Sequence, residues 1–391
     1  MKIPPASNMP GAAAVQRSLA STSCASPVIE DSVEIPQFRS NRRELLRFAR
    51  PTRGNRPAGE SVASEDRRLS LRASDLLCVR RPAMGSFFEI RLGTQVPGGL
   101  ELANRALDLI DRLEAQLTIY DEGSELSRLN ATAHHGPVEV EEGLFGLLEL
   151  AVELSRRTGG AFDVASGAIS EAWGLIRGPR RLPDPQVLQH ARERTGSHLI
   201  VLDRDRRTVC FRRAGVKLNL GGIGKGYAID RAVALLRDHW WPTGSLIHGG
   251  QSSLFALRSP PGRIGRGWEI ALRNPFVPER PIARIHLRDR GLGTSGNSFQ
   301  CSEVEGRPIG HLLDPRTGEP ASGPASVTVL APSAAEADAL STAFYLLGPE
   351  AAADFVAQNP AVSAVFVTEG PADRSPRILS FGLDPMELEL I

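Results

Sequence analysis

The stretch Leu218–Leu236, LNLGGIGKGYAIDRAVALL, constrains this chain more than any other. An apolar, extended start runs into a glycine-rich turn that carries Lys225. The turn opens into a helical pattern in which Ile229, Ala232, Val233 and Leu236 share one face. Glycines let successive backbone N–H groups turn toward an anion, and a helix beginning near Tyr227 adds the positive end of its dipole. The spacing predicts a strand–turn–helix unit whose turn is either purely structural or an anion site. It does not fit a standard nucleoside-triphosphate loop. Counting back from Lys225, Asn219 stands where that loop needs its first glycine, and Gly226 stands where it needs Ser or Thr. The dinucleotide fingerprint fails as well: Gly222 and Gly224 fit, but its last glycine is Tyr227 here.

The surrounding pattern is mixed. GSFFEIRL (Gly85–Leu92), GSLIHGGQSSLFAL, WEIALRN, ASVTVLAPS and VSAVFVT read as strands, and HLIVLDRDRRTVCFRR as a hairpin about a charged turn. Helices are expected from about Leu100 to Leu117, over LFGLLELAVELSRRTGG up to Gly159 and Gly160, and from about Glu336 to Leu347. Strands and helices mix without a regular βαβ rhythm, which predicts an α+β fold rather than a doubly wound sheet. No linker interrupts the chain after Cys78, so residues 78–391 are expected to form one domain. Residues 1–77 are rich in Pro, Ser, Ala and Arg and read as a flexible basic extension.

Global composition excludes several classes. A formal net charge of +1 over 391 residues gives no footprint for nucleic acid. Cys24, Cys78, Cys210 and Cys301 lie far apart, without the spacing of a disulfide framework or a cysteine zinc site. No apolar run approaches the roughly 20 residues of a membrane span. The twin arginine in SNRRELLRFARPTRG lacks an uncharged apolar stretch behind it, because Arg47, Arg50 and Arg53 interrupt it, and Cys24 lacks an apolar segment before it. These features favour a cytoplasmic location.

Three further stretches carry chemistry. In EADALSTAFYLLG, Asp338 and Thr342 fall one helical turn apart with Ser341 beside them, a hard-oxygen set that suits Mg²⁺ as well as a plain helix-terminal acid. GHLLDPRTGEP joins His311 to an Asp-Pro turn, and GAFDVASG sets Asp163 in a small-residue loop.

Taken in order, these pieces resemble the FAD:protein FMN transferases, the ApbE family. The resemblance runs from AMGSFFEIRL to AFYLLGPE, through LTIYDEGSELSRLN, GAFDVASG, LNLGGIGKGYAIDR, TSGNS and HLLDPRTGEP. It implies an α+β, T-fold-related domain that moves FMN from FAD to a Ser/Thr hydroxyl of an acceptor protein, with Mg²⁺ as cofactor and AMP released. It implies that Met84, Tyr120, Ala161, Phe162, Asp163, Gly221, Lys225, Tyr227 and Leu313 contact FAD. It implies Mg²⁺ ligands at Gly224 (through its carbonyl), Asp338, Ser341 and Thr342, and a base at His311. Acceptors of this family usually lie outside the cytoplasm. The chain departs from the family pattern where acids have become amides, at Asn219, Gln251 and Asn297. Amides keep hydrogen bonds but carry no charge. Two alternatives therefore stand beside the transferase: an FAD pyrophosphatase giving FMN and AMP, and a non-catalytic FAD-binding protein.

Overall fold

The structure is a computed structural model that describes residues 75–391 except 177, 240–243, 264, 297–301, 305–306 and 371–375. The twin arginine, Cys24, Asn297 and Cys301 lie outside the described residues. The chain begins with the hairpin β1 (Leu76–Ala83) and β2 (Ser86–Gly93), followed by α1 (Gly99–Leu117) and α2 (Glu125–Thr132). Then come β3 (Val138–Glu139), α3 (Glu142–Arg157), α4 (Gly167–Ala172), α5 (Pro185–Arg192), β4 (Ile200–Asp203) and β5 (Thr208–Phe211). Helix α6 (Gly224–Arg237) leads into β6 (Ser245–Gly249), β7 (Ser253–Leu257), β8 (Trp268–Arg273), β9 (Pro281–Leu287) and β10 (Arg290–Ser295). After β11 (Ser302–Val304), β12 (Arg307–Ile309) and β13 (Ser326–Ala331) comes α7 (Ala334–Gln358), and the chain closes with β14 (Ser363–Glu369), β15 (Pro376–Phe381) and β16 (Leu388–Leu390).

The main sheet has eight strands in the order β1-β2-β6-β7-β10-β13-β14-β15, every neighbouring pair antiparallel. Period-two alternation assigns its two faces. Ile247, Phe255, Val327, Val329, Ala364 and Phe366 join the core under α1, α3, α6 and α7. The residues between them, Leu246, Ala256, Leu330, Val365 and Val367, pack the other way, against Trp268, Ile285 and Leu287 of the small sheet β16-β9-β8. Phe88, Phe344 and Phe366 are fully buried, each contributing about 1.5–3 kcal/mol by leaving water. A third sheet, β3-β5-β4, contains the hairpin expected from HLIVLDRDRRTVCFRR.

One strand and several boundaries differ from the sequence reading. Strand β1 goes unread, although it begins at Leu76, and Gly85 belongs to a turn rather than to β2. Met84 (φ 50°) and Gly85 (φ 69°) form the two-residue turn between Ala83 and Ser86. Both φ values are positive, as a primed hairpin turn demands. Helix α6 starts three residues before Tyr227, at Gly224. Helix α7 starts at Ala334 and runs beyond Leu347 to Gln358, across a break at Gly348 (φ 79°, ψ 175°). Pro349 is tolerated because it opens the second helical segment, where its missing N–H has no intrahelical partner to lose.

Candidate functional site

The glycine turn is built by short-range acceptors. The Asn219 side-chain oxygen Oδ1 accepts from the Gly221 N–H at 3.0 Å, and the Asn219 backbone N–H donates to the Val164 carbonyl at 2.7 Å. One residue earlier, the Asn130 amide holds Leu218 on both sides: Nδ2 donates to its carbonyl at 3.0 Å and Oδ1 accepts its N–H at 2.7 Å. The turn is thereby pinned between the loop after α3 and helix α2. Gly222 faces two expected site residues, since a Cβ there would lie 3.4 Å from the Phe162 ring and 3.7 Å from Thr342 Oγ1.

Asp163 organises that loop. Its carboxylate is buried and accepts four hydrogen bonds of 2.7–2.8 Å, from the Ser155 hydroxyl, the Ala165 N–H, and the N–H and hydroxyl of Ser197. With its acceptors engaged inside the protein, Asp163 shapes the backbone around Ala161 and Phe162, both buried. The DPRTGEP turn adjoins it: the Trp173 indole N–H donates to the Gly318 carbonyl at 2.7 Å, and a Cβ on Gly160 would lie 3.8 Å from the Arg316 side chain.

Three of the metal-ligand candidates, Asp338, Ser341 and Thr342, lie in the first turns of α7, and the fourth, Gly224, opens α6. Asp338 is 7% exposed, and its Oδ2 accepts the Gly226 N–H at 2.8 Å. Burial pushes its carboxyl above the usual carboxylate range, against the charge of Lys225, the Ser253 hydroxyl and the Gly226 N–H, which favour the ionised form. Ser341 donates to the Asp338 carbonyl at 2.8 Å, and Ser295 Oγ lies 2.8 Å from Ser341 Oγ and 3.3 Å from Thr342 Oγ1. Gly224, the first residue of α6, donates its N–H to the Leu220 carbonyl at 2.7 Å. One buried carboxylate with the Ser341 and Thr342 hydroxyls within one helical turn of it fits Mg²⁺, a hard cation that takes one or two protein carboxylates and completes its shell with water and substrate phosphate. Among the described residues, no group of three or more His, Cys, Asp or Glu side chains forms an all-protein cage.

His311 stands near the same charges. Burial, then Arg180 and Lys225, hold its pKa below the usual 6.5, so the ring is neutral at pH 7. Its buried Nδ1 has no hydrogen-bond partner among the described residues.

The remaining expected FAD contacts are distributed over several elements. Tyr227 is buried, with its hydroxyl accepting from Arg231 at 2.7 Å and burial raising its pKa. Leu313 packs against the small cluster around Trp173 and Ile169. Tyr120 presents a ring that is 65% exposed, in the loop between α1 and α2. Met84 sits in the β1–β2 turn beside the β6–β7 turn, where the Gly250 N–H donates to the Phe87 carbonyl at 2.7 Å. Gln251 in that turn accepts from Arg273 at 2.8 Å. The sequence reading gave no role to Asn130, Ser253, Ser295, Arg180 or Trp173. Asn130, Ser253 and Ser295 at least fall within quoted stretches, whereas Arg180 and Trp173 do not, and the partners of all five lie 40 to 150 residues away.

The family model described as "ApbE family" matches residues 84–366. The chain is 32% identical over 272 residues to the FAD:protein FMN transferase of Treponema pallidum, covering 66% of this chain and 75% of that protein. It is 27% identical over 321 residues to the FAD:protein FMN transferase of Escherichia coli K12, covering 79% and 90%. Its fold matches the crystal structure of an ApbE protein from Thermotoga maritima with a TM-score of 0.70 and 28% identity, over 78% of this chain and 97% of that one.

Proposed function

We propose, from the premise that this chain belongs to the ApbE family, that it transfers FMN from FAD to a Ser/Thr hydroxyl of an acceptor protein and releases AMP. The single observation that supports this reading is that the glycine turn and the Asp338–Thr342 face of α7 are joined through the Gly226 N–H, with the charge of Lys225 acting on both Asp338 and His311. A phosphoanhydride needs such a set: backbone and cationic groups for its charge, and a base for the incoming hydroxyl.

The acceptor oxygen attacks the phosphorus of the FMN half of FAD. A P–O bond forms to the acceptor, the bond to the bridging oxygen breaks, and AMP leaves with that oxygen. His311, held neutral by its surroundings, takes the proton that the acceptor hydroxyl loses. Lys225 supplies fixed positive charge beside the phosphates. Asp338 would hold Mg²⁺, with Thr342, Ser341 and the Gly224 carbonyl as the further ligand candidates, and the ion would supply charge neutralisation at the phosphoryl oxygens. Met84, Tyr120, Ala161, Phe162, Gly221, Tyr227 and Leu313 frame the FAD site, and Asp163 fixes the loop that carries Ala161 and Phe162. Residues 78–391 act as the catalytic domain behind a basic extension. Among the described residues, no helix is long and apolar enough to cross a membrane.

The test is release of AMP from FAD by the purified protein, followed by chromatography with acceptor peptide present. Release that depends on both Mg²⁺ and peptide supports the transferase. Release that is unaffected by EDTA refutes it.

A further inference from the structure

Helices α6 and α7 meet through two reciprocal links. Asp230 of α6 accepts the first two N–H groups of α7, from Ala334 at 2.8 Å (Oδ1) and from Ala335 at 2.9 Å (Oδ2). One turn away, Gly226 of α6 donates its N–H to Asp338 of α7 at 2.8 Å. Positions 226 and 230, and positions 334 and 338, are each four apart, so each pair lies on one helix face. The two links therefore form a ladder between antiparallel stretches. The gap they span is minimal: a Cβ at Gly226 would come within 2.2 Å of the Ala334 carbonyl oxygen. Strand β10 closes the other side, where a Cβ at Gly293 would come within 2.4 Å of the Ala337 carbonyl oxygen.

A helix start ordinarily satisfies its free N–H groups from its own N-cap. Here Ser333 caps only the third, with its hydroxyl accepting from Glu336 N at 3.1 Å. The first two are handed to another helix. Because α6 also carries Gly224 and Lys225, the carboxylate of Asp230 joins the element holding one half of the site to the element holding the other half.

We propose that Asp230 is a positioning residue of the transfer site: it fixes the axial register of α7 against α6, and with it the placement of Asp338, Ser341 and Thr342 opposite Gly224 and Lys225. The proposal rests on the transferase reading for its catalytic consequence, but the helix link is independent of it. Asparagine at 230 would keep the shape yet offer one acceptor oxygen in place of two, and its NH₂ group would face an N–H donor.

The experiment compares the full-length parent, Asp230→Asn and Ser333→Ala. Ser333→Ala removes a capping bond from the same helix start without touching the link to α6. Two readouts need no turnover: the Mg²⁺ concentration giving half of the Mg²⁺-induced rise in Tm, and hydrogen–deuterium exchange over residues 334–347. The third is FMN transfer. Partners that orient ligands typically govern metal affinity by ~10-fold or more, so Asp230→Asn is expected to raise the Mg²⁺ half-saturation by about that factor. It should also lower kcat while KM for FAD stays within ~2-fold, and speed exchange across residues 338–342. Ser333→Ala should lower Tm while leaving the Mg²⁺ half-saturation and kcat at parent values. The proposal is overturned if Asp230→Asn behaves as the parent, or if Ser333→Ala reproduces its changes. Should Asp230→Asn fail to fold, Asp230→Glu, which keeps both acceptor oxygens but displaces them by one methylene, carries the same expectations. If the parent itself shows no Mg²⁺ response and no transfer, the transferase reading fails, and the exchange comparison alone decides the role of Asp230.

Discussion

At the scale of single residues, the proposed chemistry rests on two side chains. Asp338 is a buried carboxylate whose surroundings compensate its burial only in part. Replacing it by alanine should cut FMN transfer by ~10²-fold or more and remove the response of the residual rate to Mg²⁺, since metal stabilisation of a phosphoryl transition state is worth several kcal/mol. A variant that keeps the Mg²⁺ response would refute the ligand assignment. His311→Gln should lower kcat by ~10²–10⁴-fold, the usual contribution of a general base. The pH profile follows from the sign of the shift. The base works when neutral, and burial, Arg180 and Lys225 hold its pKa below 6.5, so the acidic limb of kcat/KM should fall below pH 6.5 and the rate should be level through pH 7. A limb centred above 6.5 would contradict the assignment. The acid-to-amide changes look different in three dimensions than in one. Asn219 closes the glycine turn through its side-chain oxygen, and an amide does this as well as a carboxylate. The sequence shows the lost charge but not the surviving hydrogen bond.

At the scale of elements, close approach decides what is tolerated. Gly226→Ala would place a methyl group 2.2 Å from the Ala334 carbonyl oxygen, where backbone must give way. Overpacking of this kind destabilises by ~1–3 kcal/mol, so chemical denaturation should show the loss and FMN transfer should fall with it. An unchanged midpoint would mean that α6 and α7 are less tightly apposed than described. Strands β2 and β6 supply a pH-dependent pair. His248, whose Nε2 lies 3.4 Å from Glu89 Oε1, together with Arg91 and against burial, lowers the Glu89 pKa from 4.5 to about 2. A depressed acid contributes stability that is present above 4.5 and is lost as pH falls toward about 2. The stability advantage of the parent over Glu89→Gln should therefore shrink across that interval in acid denaturation, and a constant difference would exclude the pairing. Long periodic elements such as α1 and α3 were legible because one face meets the core at helical spacing. The start of α7 was not, because it is apolar nearly all round and its cap comes partly from Asp230, over 100 residues earlier. Strand β1 was hidden for a different reason: its sequence, LLCVRRPA, carries two arginines and a proline on an edge strand.

At the scale of the whole molecule, the eight-stranded sheet works as a platform. One face seats α6 and α7, and the small sheet β16-β9-β8 seals the other. The α+β class was legible from the irregular mixing of strands and helices, whereas the strand order, set by pairings far apart in the chain, was not. The site residues could be nominated from motifs in order along the chain. Which of them point inward and which hold the scaffold required the fold: Asp163 is spent on four internal hydrogen bonds, and the Tyr227 hydroxyl is engaged with Arg231. The central claim is that an acceptor hydroxyl, rather than water, receives the FMN. The most direct measurement is the intact mass of a peptide carrying a Ser/Thr acceptor motif after incubation with the protein, FAD and Mg²⁺. The account predicts a peptide heavier by one FMN, absent when EDTA is added. An unmodified peptide in a mixture that has nevertheless released FMN and AMP would contradict it and identify water as the nucleophile.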